Sequence, residues 1–112
     1  MISIWHNPRC SKSRETLALL IDKGIMPEVR LYLDDVPTAD ELRSALATLG
    51  LTAGELVRRK EALFKDLDLA GANDDQLIDA MVANPKLIER PIVFANGRAA
   101  LGRPPENVLA IL

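Results

Sequence analysis

One stretch near the start of the chain, residues 2–17, joins a strand pattern to a helix pattern through a polar loop that ends at the only cysteine. It reads ISIWHNPRCSKSRETL. The apolar run Ile2–Trp5 predicts a short strand, and a helix is predicted from Ser11 to Lys23. A strand that enters a helix through a tight loop leaves unsatisfied backbone N–H groups at the helix start, and these groups favour an anion. The stretch therefore predicts an anion site beside Cys10.

Cys10 can be interpreted as a core residue or as a nucleophile. A lone cysteine in a soluble protein is usually a small buried apolar side chain. The residues on both sides of Cys10, however, are almost all polar or charged, whereas a core cysteine normally has apolar neighbours. A helix start and nearby cations stabilise a thiolate, and Arg9, Lys12 and Arg14 are close in sequence. We therefore interpret Cys10 as a nucleophile that is a thiolate at neutral pH.

Ser13 stands where a second cysteine would complete the Cys-x-x-Cys motif of thioredoxin-like redox proteins. Because the chain has one cysteine, it cannot form an intramolecular disulfide. Two compatible roles are open for Ser13: its hydroxyl donates to the thiolate and lowers the thiol pKa, or it helps to cap the helix. The only histidine, His6, is either a loop residue without a role or a modulator of the reactivity of Cys10.

Length and charge limit the class of protein. A chain of 112 residues is enough for one domain, residues 1–112, with one core. The net charge of -2 argues against a nucleic-acid-binding protein. No apolar run approaches the ~20 residues that span a bilayer, and no basic segment precedes the first strand as in a signal peptide. A single cysteine fits a reducing compartment, so we predict a cytoplasmic protein. We expect no bound metal or cofactor.

The pattern after the first helix predicts a second strand over Val29–Leu33, parallel to the first because a helix connects them. Residues 38–84 then form a helical block, with less regular helical turns over 62–70. The second helix of this block is expected to carry residues 56–59. The helix starts are marked by capping-box spacings at Thr38 and Glu41 and at Thr52 and Glu55, and by a cap at Asn73 or Asp74.

The last third of the chain predicts a hairpin and a closing helix. Ile92–Ala95 is a short buried strand, Asn96–Gly97 is a strong hairpin turn, and Arg98–Leu101 is the partner strand. A final helix would start near Pro104 and turn Val108, Leu109 and Leu112 inward. This order predicts an α/β fold with a four-stranded mixed sheet in the thioredoxin-like arrangement, with the helical block of residues 38–84 inserted. Pro91 is the natural candidate for its cis-proline.

Three arginines are candidates for binding an anion: Arg58, Arg90 and Arg103. Most arginines are solvated surface groups, and this is the alternative for each of them. Arg90 and Arg103 stand beside prolines at the two ends of the hairpin, rather than on an exposed helix face. The guanidinium fork binds tetrahedral oxyanions through two parallel hydrogen bonds. We therefore interpret Arg90 and Arg103 as oxyanion ligands.

Five segments together resemble a known family: IWHNPRCSKSRETL, VRLYL, ELVRRK, NPKLIERPIVFANG and GRPPENVLAIL. They are similar to the glutaredoxin-linked arsenate reductase family (ArsC), most closely its YfgD-like branch, and the resemblance runs over essentially the whole chain. It implies a glutaredoxin-like fold in which Cys10 attacks arsenate. It also implies that Arg58, Arg90 and Arg103 hold the oxyanion, with Arg59 as the neighbour that could replace Arg58. His6, Ser13 and Arg14 would support the cysteine.

The resemblance also implies the partners of the reaction. Glutathione would be the co-substrate that reduces the arsenic, and glutaredoxin would then release glutathione from Cys10. Two alternatives stay open. One is a glutathione-dependent thiol oxidoreductase with another substrate. The other is a redox-sensing transcription regulator like Spx, although Spx-type sensing uses Cys-x-x-Cys and this chain has Ser13 at the second position.

Overall fold

A computed structural model describes residues 2–112, which divide into two compact units. The first unit comprises residues 2–35 and 90–112, and the second comprises residues 36–89. No helix within residues 2–112 is long and apolar enough to cross a membrane. The first unit contains strand β1 (Ser3–Trp5), helix α1 (Ser11–Asp22), strand β2 (Glu28–Arg30), strands β3 (Ile92–Ala95) and β4 (Arg98–Leu101), and a 3₁₀ helix (Pro105–Ile111).

The four strands form one mixed sheet in the order β2-β1-β3-β4. Strand β1 is parallel to β2 and antiparallel to β3, and β3 and β4 form the hairpin. The predicted thioredoxin-like arrangement is confirmed. Its register places Trp5 opposite Arg30 and Ile92, and Ile92 opposite Leu101. The chain segments after β1, after β2, before β3 and after β4 therefore all come to one end of the sheet.

The core of this unit lies where α1 and the 3₁₀ helix pack on the sheet. Ile4, Leu20 and Val93 are fully buried there. Each such side chain contributes about 1.5–3 kcal/mol relative to full exposure. The remaining buried members of the cluster are Ala95, Val108 and Ile111. This packing fixes α1, and with it the loop that precedes the helix.

The hairpin turn matches the prediction. Asn96 and Gly97 have φ values of 55° and 73°. These positive values at both turn positions suit a two-residue hairpin, and asparagine and glycine adopt them readily.

Strand β2 was predicted over residues 29–33, but it runs from Glu28 to Arg30. The Leu31 carbonyl oxygen accepts the N–H groups of Asp34, at 3.0 Å, and Asp35, at 2.8 Å. This local turn takes Leu31 and Leu33 out of the ladder. The alternation of apolar and polar residues did not indicate the turn, because residues in a turn can alternate in the same way.

The closing helix is also different from the prediction. It is a 3₁₀ helix, whose three-residue period places Pro105, Val108 and Ile111 on the buried face. The prediction for Val108 is confirmed. The prediction that Leu109 and Leu112 face the core assumed an α-helical period and is wrong, because both side chains are exposed.

Thr16 and Gly102 bring α1 close to the hairpin end. The buried Thr16 hydroxyl donates to the Lys12 carbonyl oxygen at 2.8 Å and lies 3.4 Å from the Gly102 carbonyl oxygen. The Gly102 N–H donates to the Pro91 carbonyl oxygen at 3.0 Å. The Arg90–Pro91 peptide bond, at the proline that was the candidate for the cis position, is cis, and Arg103–Pro104 is cis as well.

The second unit is helical. The capping boxes at Thr38 with Glu41 and Thr52 with Glu55 are confirmed, and Asn73 caps the last α-helix. The unit contains α2 (Ala39–Leu49), α3 (Ala53–Leu56), α4 (Ala62–Asp66), a 3₁₀ turn (Leu69–Gly71), α5 (Asp74–Ala83) and a 3₁₀ turn (Pro85–Leu87).

Helix α3 is shorter than predicted, because it ends at Leu56. Val57 leaves the helix to form an isolated antiparallel bridge with Ile88, and the Arg58 N–H donates to the Leu87 carbonyl oxygen at 2.8 Å. Arg58 and Arg59 therefore lie outside the helix, and Arg59 is in a turn.

We predict that Gly102→Ala destabilises the protein by about 1–3 kcal/mol, the usual cost of an overpacked site. A Cβ at this position would lie 2.7 Å from Pro91 Cγ and would also overlap Thr16 Oγ1. The matched control is Gly71→Ala, because a Cβ there meets nothing within 4 Å. Urea unfolding gives the free energy of unfolding of both variants. Equal stabilities would contradict the close packing at Gly102.

Candidate active site

Cys10 lies between β1 and α1 and is the N-cap residue of the helix, with φ −95° and ψ 123°. Its N–H donates to the Asn7 carbonyl oxygen at 3.0 Å, and its own carbonyl oxygen accepts the Arg14 N–H at 3.0 Å. The residue is 9% exposed. The thiol therefore sits at the helix start, as predicted, in a position that is largely shielded from water.

Burial has the largest single effect on the pKa of Cys10, and burial raises it because a thiolate loses hydration. Four opposing effects together lower the pKa below its ordinary value. They are, in decreasing order, the backbone N–H of Ser13, the charge of Arg90, the backbone N–H of Lys12 and a hydrogen bond from the Arg90 side chain. The site therefore favours a thiolate.

The source of the positive charge differs from the sequence prediction. Lys12 Nζ lies 3.5 Å from Glu15 Oε2 in an exposed pair, and Arg14 Nη1 donates to the Pro8 carbonyl oxygen at 3.0 Å. Neither side-chain charge is among the causes of the lowered pKa of Cys10, and nor is that of Arg9. The cation that stabilises the thiolate is Arg90, which is 80 positions away in the sequence and adjacent in the fold. Lys12 acts through its backbone.

The predicted hydrogen bond from the Ser13 hydroxyl to the thiolate is corrected by the structure. Ser13 is fully buried, and its Oγ lies 2.7 Å from His6 Nδ1 and accepts the Asn7 N–H at 3.0 Å. The hydroxyl is therefore used to hold the loop before Cys10. Ser13 supports the thiolate through its backbone N–H instead.

His6 is buried in this loop, at 6% exposure. Burial lowers its pKa, and the positive charge of Arg14 lowers it further. Both effects favour the neutral imidazole. Arg14 therefore acts on His6 in this structure, and a direct effect of His6 on the reactivity of Cys10 stays a prediction.

Arg90 and Arg103 come together at the same end of the sheet. Arg90 precedes β3 and Arg103 follows β4, and Arg103 Nη1 donates to the Arg90 carbonyl oxygen at 3.4 Å. Arg90 in turn forms a hydrogen bond with Cys10. The topology thus gathers the cysteine and two of the three predicted arginines within the first unit.

Arg58 belongs to the second unit and makes its own contacts there. Its guanidinium lies 3.2 Å from Glu61 Oε2 and 4.0 Å from Glu89 Oε1, and it donates to the Lys86 carbonyl oxygen. The neighbouring Arg59 stacks over the Phe64 ring at 5.4 Å. The role of Arg58 as an oxyanion ligand stays a prediction from the family resemblance.

Sequence reasoning missed Thr16 as a residue that shapes the site. Ser13, Thr16 and Leu20 are buried on α1 and follow one another at helical spacing, so the inward face of the helix is polar near Cys10 and apolar further on. The signal in the sequence is a polar residue, Thr16, at helical spacing with the apolar residues of the inward face of α1. Among residues 2–112, no group of three or more His, Cys, Asp or Glu side chains could hold a metal ion.

Comparisons with known proteins identify relatives that match nearly the whole chain. A model of the ArsC family matches residues 5–111 of the chain. YfgD of Escherichia coli K12 is 57% identical over 114 residues, which cover 99% of this chain and 96% of that protein. An arsenate reductase of Neisseria meningitidis serogroup B is 49% identical over 114 residues, with 99% and 97% covered. The solved structure of an arsenate reductase from Vibrio cholerae has a TM-score of 0.96 at 53% identity, with 99% and 97% covered.

We predict that the alkylation of Cys10 by iodoacetamide has its pH midpoint below the ~8.5 of an unperturbed cysteine. Arg90→Met should raise the midpoint, because it removes both a charge and a hydrogen bond from the thiolate. Arg90→Lys, which keeps the charge, should raise it less. The alkylation rate is measured against pH for each protein, with circular dichroism to check folding.

The matched control is Arg14→Met, which removes the same charge from α1 and should leave the midpoint of Cys10 nearly unchanged. If the Arg14 variant raised the midpoint as much as the Arg90 variant, the charge on the helix would be the one that matters. That result would contradict the assignment of Arg90.

Proposed function

This chain belongs to the ArsC family, and we propose that it is an arsenate reductase in which Cys10 is the nucleophile. The observation that carries the proposal is the pairing of a shielded cysteine at a helix start with the guanidinium of Arg90. Such a pairing supplies both requirements of the reaction, a thiolate and a cation for an oxyanion. Relatives that match the chain over nearly its whole length are named arsenate reductases.

In the first proposed step, the Cys10 thiolate attacks the arsenic of bound arsenate. A sulfur–arsenic bond forms, and one arsenate oxygen takes up protons and leaves as water. Both reactants are anions, so their repulsion opposes the attack unless a cation lies between them. Arg90 and Arg103 supply this charge, and their guanidinium forks match the geometry of a tetrahedral oxyanion.

In the second proposed step, a glutathione thiolate attacks the sulfur of Cys10. The sulfur–arsenic bond breaks and leaves its electron pair on arsenic, so As(V) becomes As(III) and departs as arsenite. The two sulfurs are oxidised to a mixed disulfide between Cys10 and glutathione. An outside thiol is required because the chain has one cysteine and Ser13 in place of a second.

The cycle closes when a glutaredoxin thiol attacks the glutathione sulfur of the mixed disulfide. Cys10 leaves as a thiolate, and glutaredoxin takes up the glutathione. Because every turnover consumes reduced thiols, we propose that the protein works in the reducing cytoplasm. No bound cofactor is required by these steps.

We predict that the purified protein turns over arsenate continuously only when both glutathione and glutaredoxin are present. The rate is followed as NADPH consumption through glutathione reductase. Without glutaredoxin, mass spectrometry after incubation with arsenate and glutathione should show a glutathione-sized adduct on Cys10, and Cys10→Ser should show neither adduct nor turnover. Sustained turnover with a thioredoxin system alone, without glutathione and without the adduct, would overturn this mechanism.

We also predict that Arg90→Ala and Arg103→Ala each lower arsenate turnover by about 10²–10³-fold, by analogy with loss of an oxyanion donor. Thermal stability should change little. Arg98→Ala at the far end of the hairpin is the matched control and should turn over normally. Arg58→Ala tests the part of the family resemblance that concerns the second unit. Normal turnover of the Arg90 and Arg103 variants would show that neither arginine binds the oxyanion.

A further inference from the structure

A groove opens beside the loop that leads to Cys10. It lies between residues 6–9 and residues 31–34, at the end of the sheet where β1 and β2 finish. Its volume is about 330 Å³, near the lower end of the range for small-ligand sites. The lining residues are His6, Asn7, Pro8, Arg9, Leu31, Leu33 and Asp34.

Backbone hydrogen bonds hold both walls of the groove. The His6 N–H donates to the Arg30 carbonyl oxygen at 2.8 Å, which joins the first wall to the end of β2. The Arg9 N–H donates to Asn7 Oδ1 at 3.0 Å, which closes the loop tightly. On the other wall, Leu31 accepts the N–H groups of Asp34 and Asp35. The groove is therefore formed before any ligand binds.

The groove combines apolar lining residues with two opposite charges. Leu31 and Leu33 are exposed and line it together with Pro8. Arg9 and Asp34 are exposed side chains of opposite charge on its two walls. This pattern complements a short zwitterionic peptide, whose carboxylate an arginine fork can bind and whose ammonium an aspartate can bind. A neutral or wholly anionic ligand would leave one of the two charges without a counterpart.

The chemistry of the second step points to the same place. Substitution at a sulfur atom is in line, so the attacking thiolate approaches Cys10 from the side opposite the departing arsenic. The arginines that would hold the arsenic flank the β3–β4 hairpin, whereas the groove lies at the end of β2. Strand β1, which leads to Cys10, is between them in the sheet. A thiol bound in the groove would therefore approach from the β2 side of the sheet, whereas the arginines lie on the β3–β4 side.

We propose that this groove binds glutathione as the attacking thiol, with Arg9 on a carboxylate and Asp34 on the ammonium group. The proposal rests on the proposed reduction of arsenate for its chemistry, but the binding itself can be measured separately. Glutathione carries two carboxylates and one ammonium around its thiol, so it fits the charge pattern of the groove. Arg9, which directly precedes Cys10 in the sequence, would then bind the co-substrate rather than stabilise the thiolate.

The binding test uses S-methylglutathione, which cannot react because its sulfur is methylated. Titration into the ¹⁵N-labelled protein should shift the backbone amide signals of Asn7, Arg9, Leu31 and Asp34. Arg9→Glu and Asp34→Lys should each weaken these shifts, and Arg98→Glu, a matched charge reversal far from the groove, should not. Shifts confined to other surfaces would overturn the proposal.

The kinetic test measures arsenate reduction at varied glutathione. Arg9→Glu and Asp34→Lys should each raise the KM for glutathione by about tenfold, the effect of losing one charge-assisted contact, and should leave the KM for arsenate unchanged. Alkylation of Cys10 by iodoacetamide, which carries no charge, should stay the same, which separates lost docking from an altered thiol. An unchanged KM for glutathione in both variants would overturn the proposal while arsenate reduction stands. Binding of S-methylglutathione in the groove of a protein that does not reduce arsenate would support the groove and refute the proposed function.

Discussion

The structure of the candidate site depends on how a buried thiolate is stabilised at a helix start. Burial alone would keep Cys10 protonated, because a shielded anion loses its hydration. Two backbone N–H groups of the first helical turn and the guanidinium of Arg90 outweigh this cost. The N–H groups are available because no intrahelical acceptor exists for them at the start of a helix. The arginine is available only because the sheet brings the start of β3 to the end of β1.

The position of that arginine is set by backbone packing on several sides. Gly102 allows the segment after β4 to approach both Pro91 and Thr16, and its N–H donates to the Pro91 carbonyl oxygen. Thr16 links the same region to the first turns of α1. The segments before β3 and after β4 are therefore packed together against α1, which brings Arg90 and Arg103 to the end of the sheet where Cys10 begins the helix.

Features that depend on neighbouring residues could be predicted from the sequence. The cysteine at the helix start, the capping boxes of Thr38 and Thr52 and the Asn96–Gly97 turn each involve a few consecutive residues, and all are present. Features that depend on tertiary packing could not. The partners of the Ser13 hydroxyl are loop atoms that the helix pattern does not show. The sequence places Arg9, Lys12 and Arg14 nearest to Cys10, but the cation that stabilises the thiolate belongs to Arg90. The closing 3₁₀ helix was assigned an α-helical period, so Leu109 was placed inward in error.

The use of Arg90 for both thiolate and oxyanion has a chemical consequence under the proposed reaction. A thiolate with a lowered pKa is more abundant at neutral pH but intrinsically less nucleophilic. Arg90 stabilises the thiolate through its charge and through a hydrogen bond. In the proposed reaction, a bound oxyanion would accept hydrogen bonds from the same guanidinium. The thiolate would then lose some of its stabilisation, so its nucleophilicity would rise when the arsenic is bound beside it. Under the proposed reaction, a single arginine on the loop before β3 would first stabilise the nucleophile and then bind the oxyanion.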